Sequence, residues 1–270
     1  MKSPPRVILD FKNLTVTRGE KSVLRNFNLQ VRAGEHLAIL GPNGSGKSTL
    51  IKLMTGELHP LAGMAGAHAR LFGQEHWVLD DVRRCTGIVA LDLLASLSHE
   101  VTTREVTARE MVLSGFFNSV GLWPHHRVSP RQERRARAVL RFLEITRLAD
   151  RPISAMSAGE QRRALIGRAL VHDPAVLVLD EPTNSLDPGA VHDFRLLLSQ
   201  LARSGKTLVL VTHTVADLVP EIARVLLMKS GRLIADGPTA QVLNSASLSR
   251  LFGKKLRLVR HRGHLDLVSG

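Results

Sequence analysis

The chain has 270 residues, of which 44% are hydrophobic and 23% charged, and its formal net charge is +13. That balance supplies enough apolar mass for a sizeable core and excludes a mainly disordered chain. Its one cysteine, Cys85, excludes internal disulfides and a cysteine zinc cluster, and no apolar run approaches the ~20 residues that a membrane-spanning helix requires, so a cytoplasmic protein that attracts polyanions is expected.

In chain order, Val7 to Val31 comes first. Its short alternating pieces, Leu14-Thr-Val-Thr17 and Phe27-Asn-Leu-Gln-Val31, predict half-exposed antiparallel strands. His36-Leu-Ala-Ile-Leu40 reads as a strand buried on both faces, followed by a glycine-rich turn and a helix over Lys47 to Thr55. A further strand is expected over Gly87 to Leu91. The strand pattern then stops between about 92 and 160. There Pro130 to Leu148 predicts a helix, with Ser129 as its cap and Ala136, Val139, Leu140 and Leu143 on one face. Ser157 to Val171 predicts another. Ala175-Val-Leu-Val-Leu179 and Thr207-Leu-Val-Leu-Val211 return to buried strands. The expected class is therefore α/β: a core of buried strands with an N-terminal antiparallel β subdomain and a helical subdomain inserted at about 92–160. The last 30 residues read as a short appendage.

The chemistry begins at Gly41-Pro-Asn-Gly-Ser-Gly46-Lys47-Ser48, which fits G-x-x-x-x-G-K-[ST]. Glycines let main-chain N–H groups face phosphate oxygens, and the following helix offers its unpaired N–H groups and positive dipole end to the same anion. Lys47 brings a point charge to the β- and γ-phosphates, and Ser48 a hydroxyl for Mg²⁺. The strand ending at Leu179 runs into Asp180-Glu181, placing two carboxylates at a strand tip, where ligands bind in open α/β sheets. Asp180 can hold Mg²⁺, and Glu181 can polarise a water for in-line attack on the γ-phosphate. Alone, such an acidic pair reads by default as a surface loop; beside the phosphate loop it reads as a site.

Between these motifs lies Met156-Ser157-Ala158-Gly159-Glu160-Gln161-Arg162-Arg163, after them Pro182-Thr183-Asn184-Ser185-Leu186-Asp187, and beyond the next strand His213. In this order they resemble the signature, D-loop and switch histidine of the ATP-binding cassette (ABC) ATPases, over roughly residues 6–240. The wording of Gly34 to Gly41 and Gly159 to Arg163 is most similar to the family's molybdate-type transport components. The resemblance implies that the α/β core is a P-loop NTPase core, with ATP and Mg²⁺ as ligands. Gly41, Pro42, Asn43, Gly44, Ser45, Gly46, Lys47, Ser48 and Thr49 would form the ATP loop, Ser48 and Asp180 would hold the metal, and Glu181, Lys47 and His213 would serve catalysis. It also implies a head-to-tail dimer in which Ser157 and Gly159 cap the γ-phosphate of the other copy and Asp187 lines the interface, although Asp187 before Pro188 also reads as a helix cap. Three positions depart from the pattern. Arg18 stands where an aromatic residue stacks on adenine. No glutamine occurs between 75 and 131, so Asp92, Leu94, His99 or Glu100 occupies the expected glutamine region. Ala158 and Glu160 replace a glycine and a glutamine of the signature.

Two functions compete. The chain is expected to be the ATPase subunit of a transporter with a separate transmembrane permease. The alternative is a soluble cassette acting on ribosomes, nucleic acid or a repair complex. Residues 127–147 carry seven arginines against Glu133 and Glu144, and residues 250–262 carry six basic residues and no acid. A solvated face and tail explain both stretches, as would contact with RNA, DNA or a membrane surface. No aromatics are interleaved for base stacking, and the chain has no Tyr. The His125-His126 pair lacks metal-ligand partners at useful spacing and reads as surface.

Overall fold

The computed structural model describes residues 6–19, 21–60, 66–90, 105–261 and 264–270. Asp92, Leu94, His99 and Glu100 lie outside the described residues. The chain forms two compact units, one from residues up to Arg83 together with Ser199 onward, the other from Arg84 to Leu198.

In the first unit β1 (Val7–Arg18) and β2 (Lys21–Arg32) pair antiparallel, and β4 (His68–Leu71) pairs with the other edge of β1. Leu9, Phe11, Leu14 and Val16 of β1 and Phe27, Leu29 and Val31 of β2 are buried while most of the residues between them face outward, as the alternation predicts. A second sheet runs β7 (Thr207–Thr212), β3 (Leu37–Leu40), β8 (Arg224–Lys229), β9 (Arg232–Pro238). Strand β3 is parallel to β7 and β8, and β9 is antiparallel to β8. Every residue of β3 and β7 is buried, which is why both read as unbroken apolar runs. Helix α1 (Lys47–Met54) follows β3 after the glycine-rich loop. Arg224 clamps one end of this sheet: it donates two parallel hydrogen bonds of 2.7 Å to Asp236 and one of 2.9 Å to Glu35.

The described residues beyond 240 form more regular structure than the sequence suggests. Asn244 caps a helix over Ser245–Phe252, Gly253 ends it in the left-handed conformation, and β10 (Leu256–His261) pairs with β11 (His264–Ser269) as an antiparallel hairpin. Its inward residues are only half-buried, so the apolar signal in the sequence is weak there.

Helix α2 (Leu79–Cys85) leads into the second unit, where β5 (Thr86–Val89) pairs in parallel with β6 (Val176–Asp180). Three helices pack beside them: α3 (Ala108–Ser114), α4 (Pro130–Phe142) and α5 (Ala158–Leu170). Each starts with the same device. Thr107 and Glu110, Ser129 and Gln132, and Ser157 and Glu160 form reciprocal capping boxes, each worth about 1 kcal/mol to its helix. The buried face of α4 is Ala136, Val139 and Leu140, followed by buried Leu143.

The predicted helix to Leu148 stops at Phe142. Glu144 takes φ +59°, the Ile145 N–H reaches back to the Leu140 carbonyl at 3.0 Å, and Arg163 donates to the Leu143 carbonyl at 3.0 Å. This closing turn ordinarily carries glycine; with glutamate there, nothing in the sequence marks it. Helix α6 (Pro188–Arg203) follows the loop after β6.

Candidate active site

The phosphate loop hangs from β3. Gly44 and Gly46 have φ +75° and +104°, a region that other residues enter only with strain. A Cβ on Gly46 would lie 3.0 Å from Leu24 Cδ2 and 3.2 Å from the Val23 carbonyl, so strand β2 runs directly against the loop. The other side is braced by a turn that sequence reasoning missed. Ser230 and Gly231, at φ +49° and +75°, join β8 to β9. Gly231 donates to the Ser45 carbonyl at 2.9 Å and accepts from the Arg25 N–H at 3.0 Å. A Cβ there would sit 2.1 Å from the Val23 carbonyl. The signal was present: Ser-Gly between two apolar runs is a two-residue hairpin pattern.

Within the loop Lys47 is buried, and its ammonium donates to the Gly41 carbonyl at 2.8 Å and the Pro42 carbonyl at 3.3 Å. The Ser45 hydroxyl is buried and meets no hydrogen-bond partner among the described residues. Left-handed glycines, a cation folded over the loop and an orphaned hydroxyl form a set that a phosphate chain satisfies. Ser48 is exposed in the first turn of α1, with Thr49 half-buried beside it. Pro42 is half-buried, and Asn43 is exposed. Arg18 ends β1 opposite Lys21, exposed at the tip of the hairpin whose second strand carries Val23 and Leu24. His213 directly follows β7 and is exposed.

In the second unit Asp180 is the half-buried last residue of β6. Glu181 follows, half-buried, at φ +45°. A turn then forms. The Asn184 N–H donates to the Glu181 carbonyl, the Leu186 N–H donates to the Thr183 carbonyl, both at 3.1 Å, and Ser185 takes φ +65°. Asp187 closes the turn by accepting from the Gly189 and Ala190 N–H groups at 2.9 and 3.0 Å, so it does cap a helix, α6.

The structure gathers Ser157, Gly159 and Asp187 around one cavity of about 520 Å³, with Glu160, Arg163 and Asp193 also lining it. Ser157 accepts from the Glu160 N–H at 3.3 Å while the Ser157 N–H donates to the Glu160 carboxylate at 3.0 Å. That backbone hydrogen bond holds the Glu160 carboxylate below its usual range, with Arg151 and Arg147 adding to the effect. The carboxylate therefore stays ionised in its cap.

Arg162 is the second residue that sequence reasoning passed over. It is only 4% exposed, and burial lowers its guanidinium to about 10. Its Nη2 donates to the Asn184 carbonyl, while its Nη1 is buried without a partner among the described residues. A buried arginine with no carboxylate partner among the described residues is costly, and the carbonyl is what it gains in return.

Residues 24–184 match the family model described as ABC transporter. The chain is 39% identical over 218 residues to "ABC transporter ATP-binding protein ModF" of Escherichia coli (strain K12), which covers 79% of this chain and 42% of that one, so this chain spans less than half of that relative. It is 33% identical over 269 residues to "Hemin import ATP-binding protein HmuV" of Pseudomonas aeruginosa, covering 97% of this chain and 100% of the relative. Among solved structures, cbiO1 from Clostridium perfringens, described as part of the ABC transporter complex cbiONQ, superposes with a TM-score of 0.74 at 27% identity, over 91% of this chain and 94% of that one.

Proposed function

This chain belongs to the ABC transporter family, as one of its ATP-binding proteins, and from that premise we propose that it couples ATP binding and hydrolysis to a separate membrane permease. The observation that carries the proposal is the loop Gly41–Ser48, with its left-handed Gly44 and Gly46, its buried Lys47 and its orphaned Ser45 hydroxyl. Its N–H groups and the start of α1 would bind the β- and γ-phosphates, and Lys47 would leave the loop carbonyls for phosphate oxygens. Ser48 and Asp180 are hard oxygen donors suited to Mg²⁺, which when bound would neutralise charge on the phosphates. Glu181 would accept a proton from the attacking water as its oxygen bonds to the γ-phosphorus and the bond to ADP breaks. His213 would donate to a γ-phosphate oxygen. Arg18, whose planar guanidinium can stack on a base, would lie over the adenine.

We read the cassette as residues 6–240, with the helical part near 92–160 as the docking surface for the permease and the basic segment 241–270 as an appendage. Two copies would pack head to tail. Ser157 and Gly159 of each would then close on the γ-phosphate held by the other, and Asp187 would line the interface. Among the described residues no helix is long and apolar enough to cross a membrane, so a separate permease would hold the chain at the inner face of the membrane. That hemin import and cbiONQ proteins are among the relatives supports a transporter over a ribosome- or nucleic-acid-bound cassette.

The test is a pair of variants. Glu181→Gln is expected to keep ATP binding and lose ~10²- to 10⁴-fold in hydrolysis, as for loss of a general base. Lys47→Ala is expected to weaken ATP binding itself. Hydrolysis by Glu181→Gln at the parent rate would remove the base assignment.

A further inference from the structure

The turn Glu181–Asp187 holds two non-glycine residues, Glu181 and Ser185, in the left-handed region, and such residues persist there only where their surroundings over-determine them. Local hydrogen bonds from Asn184 and Leu186 shape the turn but stay within it. Asn184 is exposed, and its carbonyl immediately precedes strained Ser185. The long-range hydrogen bond to that carbonyl comes from Arg162, just over one turn into α5 and fixed by burial. Ser157, five residues earlier on the same helix, caps α5 and borders the cavity shared with Asp187.

We propose that Arg162 is a positioning residue for hydrolysis: its hydrogen bond to the Asn184 carbonyl sets the turn that aims Glu181 and ties that turn to the helix bearing Ser157 and Gly159. The proposal rests on the reading of Glu181 as base. It assigns Arg162 no contact with nucleotide. A displacement near 1 Å at a reacting group can cost on the order of 10²-fold in rate, so loss of the clamp should appear in kcat rather than in ATP affinity.

The experiment uses the full chain. Arg162→Met keeps an unbranched apolar stem but removes the donors. Its kcat should fall at least about tenfold, with the Kd of a fluorescent ATP analogue within twofold of the parent. Amide exchange should quicken over 183–187. In the Glu181→Gln background the same change should lower the residual rate less than twofold, because the base through which Arg162 acts is already gone. Ser185→Gly should recover part of the lost kcat, since glycine adopts φ +65° without the clamp. Parental kcat in Arg162→Met, unchanged exchange over 183–187, or an undiminished loss in the Glu181→Gln background would each overturn the proposal. If Arg162→Met does not fold, Arg162→Lys decides. Reduced kcat with faster exchange over 183–187 supports the clamp, and any other pairing overturns it. Failure of the base reading shows separately, as Glu181→Gln hydrolysing ATP at the parent rate.

Discussion

Two loops leave the ends of two buried strands, and they reach the left-handed region with opposite residues. After β3 the left-handed positions are Gly44 and Gly46; after β6 they are Glu181 and Ser185. The first loop costs little conformational strain and is braced from outside by Val23, Leu24 and Gly231. The second places glutamate and serine in that strained region, and buried Arg162 donates to its Asn184 carbonyl. A loop that must only present main-chain N–H groups can be made of glycine. A loop that must present a carboxylate cannot.

The contrast can be broken at either loop, and the largest effect is expected at the first. Gly46→Ala places a Cβ where Leu24 and Val23 already stand, at φ +104°. The left-handed strain alone is about 1–2 kcal/mol, and ATP binding should weaken at least about tenfold, measured by titration with a fluorescent ATP analogue. Alanine at 46 with parental affinity would show that the loop tolerates the side chain. The reverse change at the second loop should have the opposite sign. Ser185→Gly relieves a left-handed serine at some entropic cost, for a net gain of about 0.5 kcal/mol, readable as a rise of ~1–2 °C in Tm.

This difference also explains what the sequence revealed. The phosphate loop was legible because glycine is the residue that its backbone demands. Strands β3, β6 and β7 were legible because burial on both faces leaves unbroken apolar runs. Helices α4 and α5 announced themselves by Ser129 and Ser157. The end of α4 stayed hidden because Glu144 stands where glycine would mark a stop. The clamp at Arg162 stayed hidden because an arginine beside a signature motif reads as surface, and only the packing of α5 shows it buried. The hairpin of residues 256–269 was read as a tail because its faces are only half covered.

The smallest expected effect concerns the opposite ends of the two strands that carry these loops. A half-buried histidine stands just ahead of each strand: His36 before β3 and His172 before β6. Burial lowers both below 6.5, opposed by Glu221 for His36 and by the Gly115 carbonyl for His172. His36 Nδ1 accepts from the Leu208 N–H at 3.2 Å, which requires that nitrogen to be unprotonated. A histidine that binds its proton more weakly in the folded state stabilises the fold least at low pH. Stability should therefore be fully present above about 6.5 and decline as pH falls through the range just below it. Urea midpoints between pH 8 and 5 should show that decline, and His36→Gln should flatten it.

The central claim is that ATP is held between two copies of this chain, each closing the other's phosphate loop with the start of α5. The direct measurement is the molar mass in solution of Glu181→Gln by light scattering, with and without MgATP. The account predicts a doubling of mass on adding nucleotide, and return to the single-chain mass when Ser157→Arg or Lys47→Ala is introduced. A Glu181→Gln protein that binds ATP yet keeps its single-chain mass at saturating nucleotide would contradict it.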